Sequence, residues 1–183
     1  MYSILIALLL ALPGTETPVA EPTADKINWM TFEEAIEASK NEKRKVFIDI
    51  YTDWCGWCKR MDATTFSDPA VVKYMNEKYY AVKLDAEQKE DIEFDGRTFK
   101  YVPNGRRGYH ELAASLMNGK MSYPTVVFLD EDFAMLQPLP GYRKADEFLP
   151  ILTYLGGDHH KSTPWESYQK QYKADQTTKG QGK

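Results

Sequence analysis

The chain carries two cysteines and no others, and they stand three positions apart in Cys55-Gly56-Trp57-Cys58. A pair at that spacing can cycle between dithiol and disulfide. The run Lys45–Tyr51 is apolar and β-rich and predicts a buried strand. Thr52-Asp53-Trp54 reads as a turn, and Cys55 then opens a helix that reaches about Thr65. A helix N-terminus offers unpaired backbone N–H groups and a partial positive charge. Both favour thiolate over thiol at Cys55 and make it a nucleophile. Helical spacing puts Cys58 on the same face one turn later. From there it can attack a mixed disulfide at Cys55 and release the product. Three other readings compete. A structural disulfide closes only a four-residue ring and constrains the unfolded chain little. A zinc site needs two further ligands, and His110, His159 and His160 offer no useful local spacing. The pair can also occur by accident; its position just after a strand is what favours exchange.

The elements that must hold this pair follow from pattern. Thr31-Phe32-Glu33-Glu34 is a capping box, opening a helix whose apolar face is Phe32, Ala35, Ile36 and Ser39. Pro69 suits the first position of another helix, with Val71, Val72 and Met75 inward. Tyr80–Leu84, Pro124–Leu129 and about Phe133–Leu139 read as strands, the last two as an antiparallel hairpin. A final core helix covers about Asp146–Leu155, with Pro150 expected to delay its start or kink it. Between about 86 and 123 lies a longer segment, with an Asp95-Gly96 hairpin inside Ile92–Phe99 and a helical pattern over Tyr109–Met117. Its Phe94, Phe99, Tyr101 and Tyr109 suit either a wall for a partner or a small core. Alternating strands and helices argue for an α/β fold with helices on both faces of a mixed sheet.

Phe47-Ile48-Asp49-Ile50-Tyr51-Thr52-Asp53-Trp54-Cys55-Gly56-Trp57-Cys58-Lys59 resembles the active-site segment of thioredoxin-fold proteins. The resemblance is strongest to the C-terminal thioredoxin-like domain of the membrane reductant transporter DsbD and its stand-alone periplasmic relatives. In those the motif also runs on into Thr65-Phe66-Ser67-Asp68-Pro69-Ala70-Val71. It covers about residues 30–155 apart from the 86–123 insertion. It implies a thioredoxin fold with the insertion before the cis-proline strand, and a thiol:disulfide oxidoreductase. Cys55 and Cys58 would be the redox pair. Asp49 matches the buried aspartate that takes a proton from the second cysteine, and Lys83 its lysine neighbour. Tyr123-Pro124 matches the cis-proline turn that lies against substrate, and Gly141 a glycine on the same rim. Trp54, Gly56 and Trp57 would complete the substrate-binding surface. Gly56-Trp57 departs from Gly-Pro and Gly-His relatives, so no histidine stabilises the Cys55 thiolate and a reductant is expected over an oxidant. Isomerase or oxidase activity and a non-catalytic binding module are the alternatives. Ala63 replaces a helix-kinking proline.

The chain has 183 residues with 23 Lys+Arg against 27 Asp+Glu, a formal charge of −4. No basic run supports nucleic-acid binding, and no stretch of about 20 apolar residues supports a membrane span. The apolar run Ile4–Leu12, broken by Pro13-Gly14, has signal-peptide length, so residues 1–20 are expected to direct export to the periplasm. Residues 21–30 read as a linker, 31–156 as the domain, and 157–183 as an extension with a short helix and a disordered tail beyond 173. Trp165, Tyr168 and Tyr172 are expected to pack back on the domain. The expected partners are protein disulfide substrates and an upstream thiol reductant, with no metal or organic cofactor.

Overall fold

A computed structural model describes residues 25–181. The expected signal peptide lies outside the described residues. Five strands form the main sheet in the order β1 (Trp29–Met30), β3 (Tyr79–Asp85), β2 (Lys45–Tyr51), β8 (Thr125–Leu129) and β9 (Met135–Pro140). β1, β3 and β2 run parallel, β8 is antiparallel to β2, and β9 is antiparallel to β8. Six of the seven β2 residues are buried, as a central strand covered on both faces requires.

Alternation along β2 sorts the two cores. Val46, Ile48 and Ile50 face one side with Phe32 and Ala35 of α1 (Phe32–Asn41). Phe47 faces the other, with Met61 of α2 (Gly56–Thr64), Val71, Val72 and Met75 of α3 (Pro69–Lys78), and Phe148 and Leu152 of α5 (Ala145–Gly156). A period of two therefore sends Asp49 to the Phe47 side, toward α2. The caps are those expected. The Thr31 and Glu34 side chains form the reciprocal box at α1, and Asp68 caps α3 with Pro69 at its start.

The insertion contributes two small hairpins and a helix. β4 (Ile92–Phe94) and β5 (Arg97–Phe99) turn through Asp95 and Gly96 at φ 51° and 71°, the paired positive angles of a type I′ turn. Ile92 and Phe99 are buried in the α1-side core, while Phe94 packs on Phe32 and Phe133. β6 (Tyr101–Val102) and β7 (Tyr109–His110) form the second hairpin, and α4 (Glu111–Leu116) follows. A Cβ on Gly108 would meet the Tyr101 ring at 2.3 Å and the Val102 carbonyl at 2.4 Å. Only glycine lets these two strands approach so closely.

Four expectations need correction. The segment read as a linker supplies Ile27 to the core and β1 to the sheet edge. Helix α4 begins at Glu111 rather than Tyr109, because Tyr109 and His110 pair with β6. Helix α5 starts on time at Ala145 and continues through Pro150. The C-terminal helix, α6 (Trp165–Gln181), extends well past Lys173. The Thr177 and Thr178 hydroxyls return to the Lys173 and Ala174 carbonyls, and no glycine interrupts before Gly180. The aromatic stripe does pack back: Tyr168 lies against Tyr154 and donates to the Thr153 hydroxyl at 2.8 Å.

Candidate active site

Cys55 is the N-cap of α2, and its Sγ accepts from the Cys58 N–H at 3.0 Å. The turn before it is closed by Cys55 N–H donating to the Thr52 carbonyl at 3.0 Å. Cys55 and Cys58 form a disulfide, and both are buried, at 5% and 3% exposure. The sulfur thus sits at the positive end of a helix with a backbone donor already aimed at it. That arrangement stabilises a Cys55 thiolate whenever the bond opens.

On the Phe47 face of β2, Asp49 is fully buried. Lys83 donates to its Oδ2 at 2.7 Å, while Oδ1 has no hydrogen-bond partner among the described residues. Burial pushes the Asp49 carboxyl up to about 6; the Lys83 charge opposes that shift without cancelling it. Lys83 is itself boxed in, with its ammonium 4.9 Å from the Trp29 ring centre and 5.1 Å from that of Tyr51. Burial lowers the Lys83 pKa, yet its bonds to Asp49 and Asp62 outweigh this and hold it raised. Asp62 on α2 is the second carboxylate on this lysine. The sequence reading missed Asp62, although its position four residues after Cys58 marks the same helix face.

The Tyr123–Pro124 peptide is cis, and the Pro124 carbonyl accepts from Gly141 N–H at 2.8 Å. Gly141 adopts φ 91°, a conformation natural to glycine. Trp54 and Trp57 are half exposed, at 51% and 56%. Trp54 donates to Glu87 at 3.0 Å, meets Tyr123 edge-on at 5.8 Å, and carries the Arg107 guanidinium 4.4 Å from its ring centre. Arg107 comes from the tip of the β6–β7 hairpin, so the insertion supplies both core and site rim. Trp57 lies 5.4 Å from Tyr142, with Arg60 over both rings. Gly56 is exposed between the tryptophans, and a Cβ there would meet nothing. The structure thus ties Asp49 and Lys83 to α2 through Asp62, sets Trp54 against Tyr123, and joins Pro124 to Gly141 next to Tyr142, which packs on Trp57. Glu87, Arg107 and Tyr142 had no sequence signal, since loops brought together by the fold place them. His110 is held elsewhere, between the Leu112 N–H at 3.3 Å and the Glu90 carbonyl at 3.1 Å.

Residues 17–140 match the family described as Thioredox_DsbH, a protein of unknown function, DUF255. The chain belongs to this family. Among solved structures, a DsbH oxidoreductase aligns at TM-score 0.52 and 18% identity, covering 76% of this chain and 92% of that one. A thioredoxin-fold protein from Helicobacter pylori aligns at 0.56 and 16%, covering 82% and 89%. The Thioredox_DsbH chain thus has the thioredoxin fold. An uncharacterized Caenorhabditis elegans protein is 26% identical over 116 residues, 63% of this chain and 14% of that protein. The thiol:disulfide interchange protein DsbD of Vibrio vulnificus (strain CMCP6) is 32% identical over 81 residues, 43% of this chain and 14% of that protein. The match accounts for a small part of the length of either relative. No helix among the described residues is long and apolar enough to cross a membrane.

Proposed function

We propose that the chain is a thiol:disulfide oxidoreductase that reduces or exchanges disulfides in exported proteins. The observation that carries this reading is the Cys55–Cys58 disulfide at the start of α2, a helix linked through Asp62 and Lys83 to the buried Asp49, whose Oδ1 has no partner among the described residues. In the reduced protein the Cys55 thiolate attacks one sulfur of a client disulfide. A Cys55–client mixed disulfide forms and the other client sulfur leaves as thiolate. Asp49 Oδ1 accepts the Cys58 proton, and the Cys58 thiolate attacks Cys55 Sγ. The client's second thiolate leaves, and the pair returns to the disulfide seen here. Two electrons pass to the client, and an upstream thiol reductant restores the dithiol. The cysteine pair carries the electrons, so the cycle needs no metal or organic cofactor. Lys83 orients Asp49, and Trp54, Gly56, Trp57, Tyr123, Pro124 and Gly141 form the client groove. Export is supported by the apolar run Ile4–Leu12.

Cys55→Ser should abolish turnover, and Cys58→Ser should accumulate mixed disulfides that alkylation and mass measurement detect. Multiple turnover by Cys55→Ser defeats the proposal. Direction is set by the reduction potential. A value near or below about −230 mV marks a reductant, and one above about −180 mV an isomerase or oxidant.

A further inference from the structure

The two walls flanking the disulfide are built alike but charged differently. Each has a half-exposed tryptophan, a tyrosine and an arginine. On the Trp54 wall, the indole N–H donates to the Glu87 carboxylate at 3.0 Å and the Arg107 guanidinium lies 4.4 Å from the ring centre. Among the described residues, no carboxylate is hydrogen-bonded to Trp57, Tyr142 or Arg60 on the other wall. Its Arg60 guanidinium lies 5.5 Å from the Trp57 ring centre and 5.8 Å from that of Tyr142. Lys59 precedes it, and Arg143 follows Tyr142 with its donors on the Pro140 and Gly141 carbonyls at 3.0 and 3.2 Å. Among the described residues, none of these three cations has a carboxylate in ion-pair contact. Asp62, the acid on the same helix, is taken by Lys83.

The wall is also fixed in place. Tyr142 hydrogen-bonds Thr64 at 3.2 Å and follows Gly141, which is tied to Pro124. Its phenol is held below the usual tyrosine value, first by the Thr64 hydroxyl and then by Arg60. A guanidinium lying over two neighbouring rings is oriented by both, and its planar fork fits a carboxylate. Charge complementarity then names the occupant.

We propose that Arg60, braced by Trp57 and Tyr142, is a specificity-determining residue that pairs with an acidic side chain of the client next to the disulfide being exchanged. This rests on the redox reading above only for the bond exchanged, not for the recognition.

The test uses two synthetic peptides, each with one disulfide, flanked by Glu in one and by Lys in the other. With the pre-reduced protein, kcat/KM should favour the Glu peptide by about fivefold, the factor of one well-placed exposed ion pair. Arg60→Ala should level the two, and Arg60→Glu should invert the preference. Any change in the intrinsic reactivity of the cysteine pair affects both peptides equally and cancels in the ratio. Binding is measured separately, by tryptophan fluorescence of the oxidised protein with serine in place of the peptide cysteines. Equal affinities for the two peptides, or a Glu preference that survives in Arg60→Glu, overturn the proposal. Selective binding of the Glu peptide without any turnover would support Arg60 and overturn the oxidoreductase reading instead.

Discussion

Asp49 shows what one buried carboxyl does to both stability and chemistry. Its alternation with Phe47 sends it to the α2 face, and burial there raises its pKa from 3.8 to about 6. The folded chain therefore holds this proton more tightly than the unfolded chain. The stabilisation is complete below about pH 4 and is lost as pH rises through 6. The Asn variant has no such titration. Between pH 4 and 7 the oxidised wild type should lose about 2 kcal/mol relative to Asp49→Asn, read by urea denaturation at each pH. A flat difference across that range would show that the carboxyl is not buried as described. The same substitution should slow turnover by about a hundredfold, the usual range for a proton acceptor, and remove the inflection near pH 6 from the rate profile. Lys83→Met should move that inflection upward, because the cation that opposes the raised pKa is gone.

At the scale of elements, the C-terminal extension is pinned to the domain through Lys45. This residue is buried at the start of β2 and bonds Glu131 at 2.5 Å and Asp158 at 2.8 Å. Glu131 stands in the β8–β9 turn and Asp158 just beyond α5, so one ammonium joins three segments. Lys45→Met should cost about 1–3 kcal/mol, since both acids are part-exposed and regain water. A thermal melt measures it. Phe99→Ala should cost about 3–5 kcal/mol, because the β4–β5 hairpin is core and not ornament. A loss under 1 kcal/mol in either variant would contradict these packings. Much of this was legible beforehand. Asp95-Gly96 announced its hairpin, Thr31 and Glu34 their cap, and the Lys45–Tyr51 run its central strand, because each depends on local chemistry. β1 and the β6–β7 pair were not legible. Two-residue strands carry no period, and their pairing comes from partners about 50 and 8 residues away in sequence. Cys55, Cys58 and Asp49 could be read because they sit on one strand and the helix after it. Arg107 and Tyr142 could not, since only tertiary packing brings them to Trp54 and Trp57.

The whole molecule presents its redox pair from the end of a sheet whose margins are both short or blocked. β1 is two residues long, and β9 carries Pro138 and Pro140. Proline has no N–H to offer, and edge strands tolerate it where that group would face outward. Pro138→Thr with Pro140→Thr should therefore speed aggregation of the folded protein, followed by light scattering at fixed concentration. An unchanged rate would mean that the edge is protected by other means. The fringe of prolines also bears on the clients. A partly unfolded chain carries extended segments that seek any open row of donors and acceptors. Here such a segment meets a two-residue strand at one margin and Pro138 and Pro140 at the other, which leaves the groove proposed at the Tyr123–Pro124 turn as its place to dock. In the proposed cycle, the scaffold that brings the sulfurs together can thus be visited by sticky, half-folded chains without becoming a seed for them.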